Sequence, residues 1–359
     1  MSQRTIIPFG PQHPVLPEPI HLDLVVEDET VVEVVPAIGF VHRGLERLIE
    51  KRDYQEFVYV AERICGICSF MHGMTYCYGV EQLMKIEVPA RAHYLRTVWA
   101  ELSRIHSHLL WLGCTADALG FESLFMHSWR MREKVLDIIE ATTGGRVIFG
   151  SCKVGGVRRD IEDGELKAIA ARLGEYSREF KELGNVFLKD LTVQRRLCGV
   201  GTLSGQEALQ LGAVGPMLRG SGVAQDMRLL KYAAYGEIDF TPITAEAGDS
   251  YARCEVRIKE LFQSVEIIRQ CAEKIPAGAI ETKVTGFPEG EFYARTEQPR
   301  GEAIYYVKGN GTKNLERMRV RTPTFANLPA MLKVLPGLQL ADVPVIVLTI
   351  DPCISCTER

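Results

Sequence analysis

The chain has 359 residues, 46% of them hydrophobic, enough to bury a large core, and its 42 basic and 46 acidic residues leave no surplus charge that would recruit nucleic acid or anionic lipid. Ten cysteines at this length do not make a disulfide scaffold. No uncharged stretch is as long as the ~18 apolar residues a spanning helix needs, and the opening MSQRTIIPFGPQHP lacks the basic-then-apolar profile of a signal peptide, so a reducing cytoplasm is the expected setting.

A proline-rich opening (Pro8, Pro11, Pro14, Pro17, Pro19) leads into two β-branched runs, His21 to Val26 and Thr30 to Val35, on either side of the acidic turn Glu27-Asp28-Glu29. This predicts an antiparallel hairpin. From Gly44 to Arg63, Leu45, Leu48, Ile49, Phe57, Val60 and Ala61 recur at helical spacing, so that Cys65-Gly66-Ile67-Cys68 should follow a helix end. Helical patterns then cover Pro89 to Leu112, Leu124 to Ala141, Ile161 to Leu183 and Ala245 to Ile275. A glycine-rich middle, from Cys198-Gly199-Val200-Gly201 to Gly220-Ser221-Gly222, carries neither a phosphate-binding GxxxxGK loop nor a GxGxxG turn, so a nucleotide site has no support.

After Lys283 the pattern becomes β, with Glu302 to Val307, a turn at Lys308-Gly309-Asn310-Gly311, and Leu315 to Val320. The apolar run Val343 to Ile350 is expected as a buried strand or extended segment that delivers Asp351-Pro352-Cys353. The expected fold is α+β, mainly α: a central bundle of long helices with small β-sheets from the N-terminal and C-terminal segments. We expect one domain over 1–359, with a β segment at about 1–40, a helical core at about 41–280, and a β segment with a cysteine-bearing tail at about 281–359.

Cys65-Gly66-Ile67-Cys68 and Cys353-Ile354-Ser355-Cys356 bracket the chain, with 284 residues between Cys68 and Cys353. Each CxxC puts two sulfurs within reach of one metal, and thiolates favour copper(I), zinc, iron clusters or nickel. Sulfur alone does not choose among them. A zinc knuckle is the bland alternative, although its usual loop is only ~15–20 residues. Cys77, Cys114, Cys152, Cys198, Cys254 and Cys271 lack pair spacing and are expected as small buried hydrophobes.

The flanks narrow the choice. Arg63-Ile64-Cys65-Gly66-Ile67-Cys68-Ser69-Phe70-Met71-His72 and Asp351-Pro352-Cys353-Ile354-Ser355-Cys356 resemble the RxCGxCxxxH and DPCxxC signatures of the nickel–iron hydrogenase large subunit. Phe9-Gly10-Pro11-Gln12-His13-Pro14, Gly155-Gly156-Val157-Arg158-Arg159-Asp160 and Gly215-Pro216-Met217-Leu218-Arg219-Gly220-Ser221-Gly222 resemble its membrane-bound, energy-converting branch (Ech-type and carbon-monoxide-induced enzymes) and the related quinone-site subunit of respiratory complex I. The resemblance spans essentially the whole chain.

The family implies nickel, and iron carrying cyanide and carbon monoxide, with Cys65 and Cys353 terminal on nickel and Cys68 and Cys356 bridging to iron. It implies Glu18 as the carboxyl that exchanges protons with the terminal cysteine, with His21 as a rival. Arg300 corresponds to the arginine over the metals, Pro323 and Thr324 to the segment lining the diatomic ligands, and Asp351 to a group orienting Arg300 or the cysteine loop. His72 follows Cys68 by four residues, so in a helix it would face the same side and donate a ring N–H towards that bridging sulfur.

Glu46 occupies the place of a remote magnesium ligand, but Arg359 stands where that ion's histidine would be, so an Arg359–Glu46 ion pair is the competing expectation. Ser107, between His106 and His108, replaces an aspartate common in respiratory-type hydrogenases. At least one of those histidines should be a packing or surface residue. Relatives often lose a tail three residues past the last CxxC, so an end at Arg359 fits a mature or tail-less form. The implied partners are an iron–sulfur small subunit, ferredoxin-like carriers and integral membrane subunits, with hydrogen or protons as substrate. The implied location is peripheral, on the cytoplasmic face of the membrane.

Overall fold

The computed structural model describes residues 4–16 and 18–359. Strands β1 (Thr5–Phe9), β2 (His21–Glu27) and β3 (Thr30–Ala37) form an antiparallel sheet in that order. Along β2 the side chains alternate between the two faces, and Leu22, Leu24 and Val26 point into the core. The expected hairpin is present, extended by β1 along its outer edge.

Four long helices, Ala90–Ala118, Glu122–Thr143, Asp163–Lys189 and Ser250–Lys274, build the centre. Each covers a segment expected to be helical. Asp163–Lys189 is amphipathic, burying Leu166, Ile169, Leu173, Phe180, Leu183 and Phe187 along one stripe. Ala90–Ala118 is buried on nearly every side, as a helix at the middle of a bundle must be, and packs against Glu122–Thr143 and Ser250–Lys274. Its buried charges are paired: Arg96 with Glu81, and Arg104 with Glu101. Among the described residues no helix is long and apolar enough to cross a membrane.

Between Gly44 and Arg63 the chain does not form the continuous helix its spacing suggests. It breaks into the short turns Leu45–Leu48, Ile49–Lys51, Val58–Ala61 and Glu62–Ile64. A continuous helix follows the first cysteine pair instead, at Ser69–Met84.

Two short strands, β4 (Cys152–Lys153) and β5 (Gly156–Val157), pair with each other. The last sheet runs in the order β6 (Glu289–Gln298), β7 (Gly301–Asn310), β8 (Arg317–Arg321). β6 has no counterpart in the sequence reading, because Glu289, Glu291, Arg295 and Glu297 interrupt its apolar alternation. It pairs with β7 through a two-residue connection, Pro299-Arg300, so Arg300 sits at the tip of a tight hairpin.

Val343–Ile350 is an α-helix, not the expected strand. A short apolar run does not reveal its own period, and two features favour the helix. Pro344 fits the first turn, and a helix satisfies its interior hydrogen bonds within itself while every side is buried. The segment Pro323–Val334 is also helical, with Pro323 opening it. Cys77, Cys152, Cys254 and Cys271 are buried as expected, but Cys114 is half-buried and Cys198 is exposed. The N-terminal and C-terminal segments meet over the bundle, and the four cysteines lie where they meet.

Candidate metal centre

Cys65 ends the turn Glu62–Ile64 in an extended conformation, and Cys68 stands at the start of the helix Ser69–Met84. Cys353 precedes the last helix, Ile354–Glu358, which carries Cys356 one turn further on. All four sulfurs are buried and none is in a disulfide. The Cys65 and Cys353 sulfurs are 3.2 Å apart, and those of Cys68 and Cys356 are 3.4 Å apart. The sulfurs of Cys65, Cys68 and Cys356 lie within 4.8 Å of one another. First pairs with first and second with second.

Sulfur hydrogen bonds from Cys353, Cys356 and Cys65 hold the Cys68 thiol well below its ordinary range, whereas burial, and then hydrogen bonding among the sulfurs, pushes Cys356 well above it. The bare cluster therefore keeps protons on part of its sulfur. A soft cation that displaced them would turn four crowded thiols into four satisfied ligands. The donor set fits a sulfur-bound metal.

Around the sulfurs, His72 Nε2 lies 3.3 Å from the Cys356 sulfur, while its Nδ1 lies 2.6 Å from the hydroxyl of Tyr305. The expected donation thus reaches the second cysteine of the C-terminal pair, not Cys68 of its own segment. Thr324 accepts from the Cys353 N–H at 3.0 Å, and Thr322 donates to the Cys356 carbonyl at 2.9 Å, so the N-terminus of the Pro323–Val334 helix braces the C-terminal pair.

Arg300 donates to the Asp351 carboxylate at 2.7 Å, to the Asp351 carbonyl at 2.9 Å and to Ser107 at 3.2 Å. Asp351 takes the left-handed conformation (φ 61°) that turns the chain out of the helix Val343–Ile350. Arg300 can lie here because Gly215 (φ 66°) lets the backbones touch: a Cβ on Gly215 would stand 2.3 Å from the Arg300 carbonyl oxygen.

Glu18 accepts from the N–H groups of Ile354 (2.6 Å) and Ser355 (2.9 Å) and from the Ser355 hydroxyl. It also lines a cavity of about 270 Å³ whose wall includes Cys65, Trp111, Cys114, Arg300 and Asp351. His21 instead faces Gly10 and Asp23 on its own sheet and is absent from that wall.

Glu46 is occupied by protein cations. Its carboxylate accepts from Arg359 (2.9 Å), Arg319 (3.0 Å) and the Val320 N–H (2.9 Å). Burial opposes its charge, yet these donors hold it below the ordinary carboxylate range. The competing expectation, an ion pair with Arg359, is the contact that forms. His106 and His108 are both buried, and burial pushes them down to about 3 and about 4, so each is neutral at physiological pH. His108 pairs with Glu260 at 2.8 Å.

Four participants had no signal in the sequence reading. Tyr305 orients His72, and Arg257 donates to the carbonyls of Thr349 (2.8 Å) and Ile350 (3.0 Å) just before Asp351. Arg43 bridges the two cysteine segments. Glu62 is buried beside Gly73 and Gly150, and its carboxylate oxygens find no hydrogen-bond partner among the described residues. Only contacts across the fold reveal these roles.

The family model described as nickel-dependent hydrogenase matches residues 43–113, and that of the 49 kDa subunit of respiratory-chain NADH dehydrogenase matches residues 118–287 and 280–359. The chain is 39% identical to the membrane-bound hydrogenase subunit alpha of Pyrococcus furiosus over 98% of its own length and 87% of that protein. It is also 39% identical to the carbon monoxide-induced hydrogenase of Rhodospirillum rubrum over 100% of both chains. Among solved structures, a chain of the membrane-bound sulfane sulfur reductase, an archaeal respiratory membrane complex, superposes with a TM-score of 0.94 at 31% identity, covering 99% of this chain and 98% of that one. The hydrogenase relatives are oxidoreductases, and the chain from the respiratory membrane complex shares this helical core with small antiparallel sheets. The chain belongs to the family that unites the large subunits of nickel-dependent hydrogenases with the 49 kDa subunit of respiratory-chain NADH dehydrogenase.

Proposed function

We propose that this chain is the catalytic subunit of a membrane-associated, energy-converting nickel–iron hydrogenase. The observation that carries this reading is the buried set of four cysteine sulfurs, paired at 3.2 and 3.4 Å. Cys65 and Cys353 would hold nickel, and Cys68 and Cys356 would hold nickel together with iron. When bound, the nickel–iron pair with its cyanide and carbon monoxide ligands would supply the Lewis-acid and redox chemistry for reversible splitting of hydrogen.

The chain's own residues handle the proton. Cys353 accepts it on sulfur, and Glu18 receives it at the cavity wall, where the Ser355 hydroxyl already donates to its carboxylate. Arg300, fixed by Asp351 and Ser107, faces the same cavity with a positive charge, and Pro323 and Thr324 would line the place of the diatomic ligands. His72 steadies the Cys356 sulfur. Glu46 binds Arg319 and Arg359 in place of a magnesium ion.

Because its ligands come from both ends, the chain acts as one domain over 1–359. Electrons pass to an iron–sulfur small subunit and on to ferredoxin-like carriers. Integral membrane subunits hold the complex on the cytoplasmic face of the membrane. A second reading, a complex-I-like coupling subunit without nickel, draws support from the match to the 49 kDa family over 118–359. It leaves four buried, mutually contacting thiols without a purpose. A zinc-stabilised scaffold would use the thiols but not the cavity.

Metal analysis of the purified complex separates the three. Nickel and iron in equal amounts on this subunit support the hydrogenase reading, whereas zinc alone or no metal excludes it.

A further inference from the structure

The C-terminal cysteine helix, Ile354–Glu358, is a little over one turn long, and both its ends are held by residues from the first 43. Glu18 takes the N–H groups at its start. At its other end, the Val41 N–H donates to the Glu358 carboxylate at 2.5 Å, and His42 Nδ1 lies 2.8 Å from the Glu358 carbonyl. Arg43 then spans to the other cysteine pair. Its guanidinium donates to the carbonyls of Arg63, Ile64 and Ser355, each at 2.9 Å, and to that of Val41 at 3.1 Å.

No carboxylate pairs with Arg43 among the described residues, so its donors go to backbone oxygen. Two of those carbonyls end the turn Glu62–Ile64, where they have no partner within the turn. The third lies between Cys353 and Cys356. A planar guanidinium can reach carbonyls of both segments at once, which a single ammonium cannot.

We propose that Arg43 is a positioning residue that clasps the two cysteine pairs together in the chain itself, before and independently of any metal. The clasp sets the approach of Cys353 and Cys356 to Cys65 and Cys68, so the ligands are organised in advance and a metal need not gather them across 284 residues of chain. The proposal concerns the thiols alone and stands or falls separately from the hydrogenase reading.

The test is pulsed alkylation of the metal-free full-length chain with iodoacetamide at fixed pH, read cysteine by cysteine by peptide mass. Cys254, buried in the helix Ser250–Lys274, reports global opening, and exposed Cys198 reports intrinsic labelling. In Arg43→Ala, labelling of Cys353 and Cys356 should rise about tenfold over wild type while Cys254 stays protected, as local release of one segment requires. Arg43→Lys, which keeps the charge, should raise the same two rates. Unchanged rates at Cys353 and Cys356 in the alanine variant, or a parallel rise at Cys254, would overturn the proposal.

Discussion

Replacing Cys353 by serine is expected to lower hydrogen uptake and evolution by about a thousandfold or more, with the fold intact. The substitution changes one atom, and its consequences are chemical. A serine oxygen is a hard, weakly acidic ligand, so it binds nickel poorly where a thiolate binds well. It also removes the sulfur that, in our account, first takes the proton on its way to Glu18. The backbone has little reason to move, because the residue 353 N–H remains held by Thr324 and its carbonyl by Thr357. The check is an assay with an artificial electron carrier, alongside thermal unfolding of the same preparation. Activity within about tenfold of wild type, in a protein that melts normally, would remove Cys353 from the mechanism.

Glu62→Gln is expected to abolish a pH dependence of stability that the wild-type chain carries. Burial without a hydrogen-bond partner pushes the Glu62 carboxyl up to about 7 in the folded chain, from an ordinary value of 4.5. The unfolded chain loses that proton near 4.5, while the folded chain keeps it until about 7. Stability from this residue is therefore full below pH 4.5 and is lost as pH rises through 7, by about 3 kcal/mol in all. Glutamine mimics the protonated acid and cannot ionise. The variant should match wild type at pH 4.5, then exceed it by a growing margin up to pH 8 in denaturant titrations. Comparing the two proteins at each pH cancels the contribution of the cysteines. A constant difference across that range would show that Glu62 is paired or hydrated inside the fold.

What was readable in the sequence was what lies close together in it. The four long helices rest on repeats within one segment and form where that spacing predicts, and the motifs around the two cysteine pairs are legible because their residues are neighbours in the chain. Segments whose local pattern is ambiguous do not reveal their structure. Val343–Ile350 is β-branched and apolar, and only its surroundings choose helix over strand. Strand β6 hides behind charged residues that face solvent or meet partners, such as Arg295 with Glu302.

The site shows the same division. Glu18 could be named, but its attachment to Ile354 and Ser355 joins residues 336 and 337 positions apart and has no local trace. The same holds for Arg43, whose carbonyl partners include the turn Glu62–Ile64 and the helix Ile354–Glu358, brought together by the fold. His72 was expected near its own cysteine, and the packing of Tyr305 turns it to Cys356 instead.

The central claim is that these four sulfurs hold a nickel–iron pair whose iron carries cyanide and carbon monoxide. Infrared absorption of the purified complex tests it most directly, because metal-bound cyanide and carbon monoxide absorb in a region free of protein bands. The account predicts such bands in the wild-type protein and their loss in Cys353→Ser. A fully assembled complex, with all its subunits present, that shows no such bands would contradict it.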